Sequence, residues 1–76
     1  MSYWDGRTLK AFREAAGLSR RQLMFMIKEH QEKAPAERTI QRWEDGETSP
    51  DADALAALAV VLGRDVQDFF TKGAAA

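Results

Sequence analysis

Helix punctuation constrains this chain more than any other feature. Gly17, Gly46 and Gly63 each close a stretch of helical spacing, and each is soon followed by a residue able to start another helix: Ser19, Ser49 and Asp65. Glycine takes the left-handed position after a helix freely, and a Ser or Asp side chain satisfies the orphan N–H groups at the next start. With Pro35 breaking the stretch from Ser19 to Gly46, the pieces between these marks are at or below the roughly 12–15 residues an isolated helix needs in water. Such a chain folds only if several short helices share one core.

Asp5 caps a first helix over about residues 6–16, with Leu9 and Phe12 on one face. Ser19-Arg20-Arg21-Gln22 has the spacing of a capping box, and Leu23 and Ile27 set the inner face of the second helix. That helix is expected to continue past Ile27 to about residue 32 or 33, because Ala34 precedes Pro35 and residues before proline avoid helical geometry. Pro35 suits the first position of a third helix, or the position just before it, with Ile40 and Trp43 inward and Asp45-Gly46 as its end. Ser49-Pro50-Asp51 reads as cap, first-position proline and first-turn acid of a fourth helix. Its stripe is Leu55, Leu58, Ala59 and Leu62. Asp65 caps a short fifth helix holding Val66, Phe69 and Phe70. No stretch alternates like a strand. Residues 1–72 are therefore expected to form one all-α, five-helix domain, with 73–76 (Gly-Ala-Ala-Ala) a disordered tail.

Composition narrows the chemistry. Of the 76 residues 45% are hydrophobic, but thirteen are alanine, so the core is small. The absence of Cys excludes disulfides, thiolate metal sites and a cysteine nucleophile, and the single His30 has no companion ligands. No glycine-rich phosphate loop occurs, so neither an enzyme nor a cofactor is expected. The longest apolar run, Ala54 to Leu62, is too short to span a bilayer, and the N-terminus lacks the order of a secretory leader; a cytoplasmic protein with no membrane partner is expected. Net charge is −1, yet residues 1–44 carry nine Lys and Arg against six acids, while 45–76 carry two against six. One half is thus suited to meeting an anion.

Three blocks in order resemble one family. Leu9-Lys10-Ala11-Phe12-Arg13-Glu14-Ala15-Ala16-Gly17-Leu18-Ser19 resembles the opening of the phage-repressor (Cro/CI-type, Xre-like) helix-turn-helix family. Thr39-Ile40-Gln41-Arg42-Trp43-Glu44-Asp45-Gly46 resembles its recognition-helix ending. Pro50, Leu55 through Gly63, Val66 and Phe69-Phe70 resemble its last two helices. The likeness covers about residues 7–70. It implies a lambda-repressor-like five-helix domain that binds double-stranded DNA as a prokaryotic or phage transcription regulator, commonly a repressor. It further implies that Arg13 and Glu44 form a structural ion pair between the first and third helices. Three departures stand out. The segment Lys28 to Ala36 makes the turn between helices two and three about six residues longer than the family's. Met24 stands where the family has a small residue, and Glu47 where it often has a basic one.

On the third helix Arg38, Gln41 and Arg42 share a face opposite Ile40 and Trp43. Arg38 matches guanine O6 and N7, Gln41 matches adenine, and Arg42 suits a base or a phosphate. Glu37 either accepts from a cytosine amino group or stabilises the helix start. Arg20 and Arg21 open the second helix, where the family holds the DNA backbone, and are the phosphate candidates. The alternative is a protein-interaction module on the same fold that has lost DNA binding, antitoxin-like or a regulator's partner. In that reading Phe25, off the core face and flanked by Met24 and Met26, docks a protein partner. Phe70 is a further candidate contact, and a homodimer through Val66, Phe69 and Phe70 would match the two half-sites of an operator.

Overall fold

The computed structural model describes residues 2–72. Four helices carry most of the chain: α1 (Gly6–Ala15), α2 (Arg20–Lys28), α3 (Glu37–Asp45) and α4 (Ala52–Leu62). A single 3-10 turn, Val66–Phe69, follows. Two three-residue strands, β1 (Ser2–Trp4) and β2 (Phe70–Lys72), pair antiparallel and join the two ends of the described chain.

The local signals act as their chemistry requires. Asp5 accepts the Arg7 backbone N–H at the start of α1. The Ser19 hydroxyl accepts from the Gln22 backbone N–H at 3.1 Å, and the Gln22 side chain accepts from the Ser19 N–H at 2.8 Å. Gly46 closes α3 at φ +78°, a conformation strained for any side chain with a Cβ. The core gathers Leu9, Leu23, Ile27, Ile40, Trp43, Leu58 and Phe69 with the small residues Ala54, Ala57 and Ala59. Phe12, Leu55 and Leu62 pack against it half-buried.

Four boundaries refine or correct the sequence reading. First, α2 ends at Lys28, short of residue 32. Beyond Ile27 the run Lys28 to Lys33 is wholly polar, so no burial sustains another turn; the N–H groups of Glu29 and His30 close tight turns onto Met26 and Ile27 instead. Residues 29–36 form an irregular link, pinned where the Gln31 side chain donates to the Lys33 carbonyl at 2.6 Å. Second, of the two places expected for Pro35 the structure shows the one before the helix, directly preceding Ala36, the cap of α3. Third, Asp51 caps α4, accepting the Ala54 N–H at 2.8 Å, so Pro50 lies outside that helix as well.

Fourth, the expected fifth helix is the 3-10 turn, and the fold is mostly helical rather than all-α. Phe70 leaves the turn for β2, where it faces Trp4 across the sheet. A two-stranded sheet this short is not stable alone. Trp4 anchors it, its indole N–H donating to the Trp43 carbonyl at 2.8 Å and its ring stacking on Phe69 at 5.9 Å. The tail expected at 73–76 lies outside the described residues.

Candidate functional site

The capping box at Ser19 places Arg20 and Arg21 in the first turn of α2, and their side chains diverge. The Arg21 guanidinium lies 5.8 Å from the Phe25 ring on the outer side of the helix. Arg20 turns towards α3, where its Nε donates to Glu44 Oε1 at 2.9 Å. The same carboxylate accepts from Arg13 Nε at 2.6 Å. Arg13 also donates from Nη1 to the Leu18 carbonyl at 2.8 Å, tying α1 to the start of α2. Arg13 and Glu44 are buried, with side chains 9% and 1% exposed, whereas the Arg20 side chain is 35% exposed. Burying a carboxylate without partners is costly, and two guanidinium groups supply the partners here. The second of them is not legible locally. Arg20 was expected to be free for phosphate, but part of its hydrogen-bonding capacity is committed to Glu44.

Helix α3 shows the division its spacing dictates. Ile40, Trp43 and Glu44 face inward, while Glu37, Arg38, Gln41 and Arg42 are exposed. Their outer face forms, with Ser19 and Arg20, a broad groove of ≈ 850 Å³ that also meets Arg13, Asp45 and Glu47. Arg38 and Arg42 take part in none of the ion pairs among the described residues, so their guanidinium groups are available to a ligand. The acids sit towards the two ends of α3: Glu37 at its first residue, Asp45 at its last and Glu47 just beyond. The groove is therefore mixed in sign.

Other candidates lie apart from it. Phe25 is 50% exposed on the outer side of α2. Phe70 is half-buried, packed edge-on against Trp4 at 6.0 Å. Phe69 is fully buried beneath Trp4 and Phe12, so it is core and not a dimer contact. His30 is exposed, and no cluster able to hold a metal ion occurs among the described residues. Trp4, an apolar group near the chain end suited to completing the core or a dimer contact, packs against the core, whereas sequence reasoning missed Gly6. A Cβ on Gly6 would fall 2.1 Å from the Trp43 carbonyl oxygen and 2.4 Å from that of Glu44, so glycine is what lets α1 abut the end of α3.

Comparison with protein-family models, curated proteins and solved structures finds no match for this chain.

Proposed function

We propose that this chain is a DNA-binding domain of a transcription regulator, a helix-turn-helix variant whose α3 enters the major groove. The observation that carries the reading is the shared exposure of Arg38, Gln41 and Arg42 on one face of α3, beside the start of α2. Arg38 and Gln41 have the donor patterns that read guanine and adenine, and Arg42 reads a base or holds a phosphate. Glu37, at the first position of α3, accepts from cytosine or serves the helix dipole. Arg20 reaches the backbone through the part of its guanidinium that Glu44 leaves free, with Arg21, turned towards Phe25, as the secondary phosphate candidate. The likeness of residues 7–70 to the Cro/CI-type family supports the same assignment.

Glu37, Asp45 and Glu47 repel phosphate at both ends of the groove, so a single copy binds weakly. A homodimer meeting two half-sites offsets this, with Val66 (41% exposed) and the outer edge of Phe70 as its apolar contacts. The domain works as a cytoplasmic binding module without cofactor or catalysis. Selection from a pool of random duplexes at low salt tests the reading. An enriched motif, with affinity falling steeply as salt rises, is the expected result. Failure to shift any duplex at low salt would end it.

A further inference from the structure

A second groove lies further along α2, and it shares no lining residue with the first. Its walls are the outer face of α2, with Met24, Phe25 and Lys28, and the link from Glu32 to Ala36. It measures ≈ 530 Å³. Two physical features define it. Its floor is apolar: the exposed Phe25 ring, half-buried Met24, and the aliphatic atoms of Ala34 and Pro35. Its rim is basic: Lys28 and Lys33 line it and Arg21 lies against the Phe25 ring, with Glu32 the one acidic lining residue. Ala36, at one end, caps α3 without a side-chain acceptor for that helix's first N–H groups.

We infer that this groove docks a short acidic segment of a partner protein, anchored by one aliphatic or aromatic side chain seated on Phe25, Met24 and Pro35. The anchor side chain removes the Phe25 ring from water, which is the favourable term. Acidic residues flanking it meet Arg21, Lys28 and Lys33, and one carboxylate at the Ala36 end supplies the acceptor that α3 lacks. The basic rim selects an acidic segment over a basic one. Platforms for single-stranded nucleic acid use successive aromatic rings. Here Phe25 is surrounded by aliphatic and thioether groups, which suit a peptide side chain. The irregular link between α2 and α3 supplies Glu32 to Ala36 as one wall of the groove. The groove reaches the first turn of α3, and a docked segment would lie next to Glu37 and Arg38.

The test is selection from a random displayed library of short peptides on the whole chain, followed by affinity measurement of the enriched peptides. Enriched sequences are expected to carry an aliphatic or aromatic residue flanked by Asp or Glu. Phe25→Ser, and separately Lys28→Glu with Lys33→Glu, should each weaken them ~tenfold or more, as loss of an anchor or of its charge rim does. Circular dichroism and a melt on each variant establish that the fold persists; should Phe25→Ser unfold, the surface lysine pair still decides. No enrichment, basic winners, or peptides that bind both variants as well as wild type would overturn the proposal. So would a wild-type dimer in sedimentation that dissociates on Phe25→Ser, which assigns the face to a second copy, or poly(dT) binding lost on the same change, which assigns it to nucleic acid. Duplex selection reads the α3 face, so failure of either proposal leaves the other standing.

Discussion

Arg20 Nε stands 2.9 Å from Oε1 of Glu44, the carboxylate that Arg13 grips from α1 at 2.6 Å. Three helices thus meet at one buried carboxylate, and its two guanidinium partners differ in exposure. Removing the carboxylate strands the Arg13 charge, whose side chain is 9% exposed, while Arg20 at 35% can turn to water.

Glu44→Ala should therefore cost about 2–4 kcal/mol in denaturant unfolding, chiefly through Arg13. Arg13→Met combined with Glu44→Leu should cost less than the single change, because no buried charge remains. A Glu44→Ala protein that unfolds like wild type would remove the carboxylate from the stability account.

The helix starts and stops at Asp5, Ser19, Gly17, Gly46 and Gly63 were legible because each depends on one or two neighbouring residues. The end of α2 was not, since a proline at 35 marks only the latest possible stop; the helix ends where its apolar stripe runs out at Ile27. Ser49 and Asp51 are both able to cap, and local sequence does not choose between them. Strands of three residues are too short to show alternation, so the pairing of Trp4 with Phe70 was invisible. Within the site, exposure of Glu37, Arg38, Gln41 and Arg42 followed from helical spacing. The Arg20–Glu44 contact joins residues 24 apart and depends on how α2 crosses α3.

Gly6→Ala should be among the most damaging single changes. The added methyl meets backbone carbonyls of Trp43 and Glu44, which cannot move aside as a flexible side chain can. Prising α1 from the end of α3 should cost about 2–3 kcal/mol, the upper part of the range for overpacked sites. Trp4→Phe should cost about 1–2 kcal/mol, from the lost hydrogen bond to the Trp43 carbonyl and from lost packing on Phe69. Melting of both variants checks the order, and a Gly6→Ala protein as stable as wild type would contradict the close approach.

Asp5 makes the clasp between the chain ends sensitive to acid. The Thr71 hydroxyl donates to its carboxylate and holds its pKa below the ordinary 3.8; partial burial opposes this, and the Arg7 backbone N–H and guanidinium add to the lowering. A depressed carboxylate contributes stability that is complete above the unfolded value and is lost as pH falls through the folded one. Stability from this group should be flat from neutral pH down to about 5 and decline below 3.8. Thr71→Val should raise the Asp5 pKa and shrink that acid-dependent portion, measured by NMR titration of the Asp5 carboxyl. An unchanged titration would mean the hydroxyl does not set it.

Arg38 and Arg20 line the same groove, but only Arg20 is tied to the fold. Arg38→Ala should leave unfolding within about 0.5 kcal/mol of wild type, as for exposed positions generally. On the proposed reading of α3, it should weaken the preferred duplex by ~1–3 kcal/mol and relax the choice at one base pair. Arg20→Ala should weaken all duplexes alike and lower the salt slope by about one unit, because a phosphate contact is gone. It should also cost about 0.5–1 kcal/mol of stability through the lost contact with Glu44, so binding must be compared well below both melting transitions. The two variants must differ in kind: one in sequence preference at constant salt slope, the other in salt slope at constant preference. If wild type, Arg20→Ala and Arg38→Ala bind duplex DNA with the same affinity, the same preference and no dependence on salt, α3 does not read DNA.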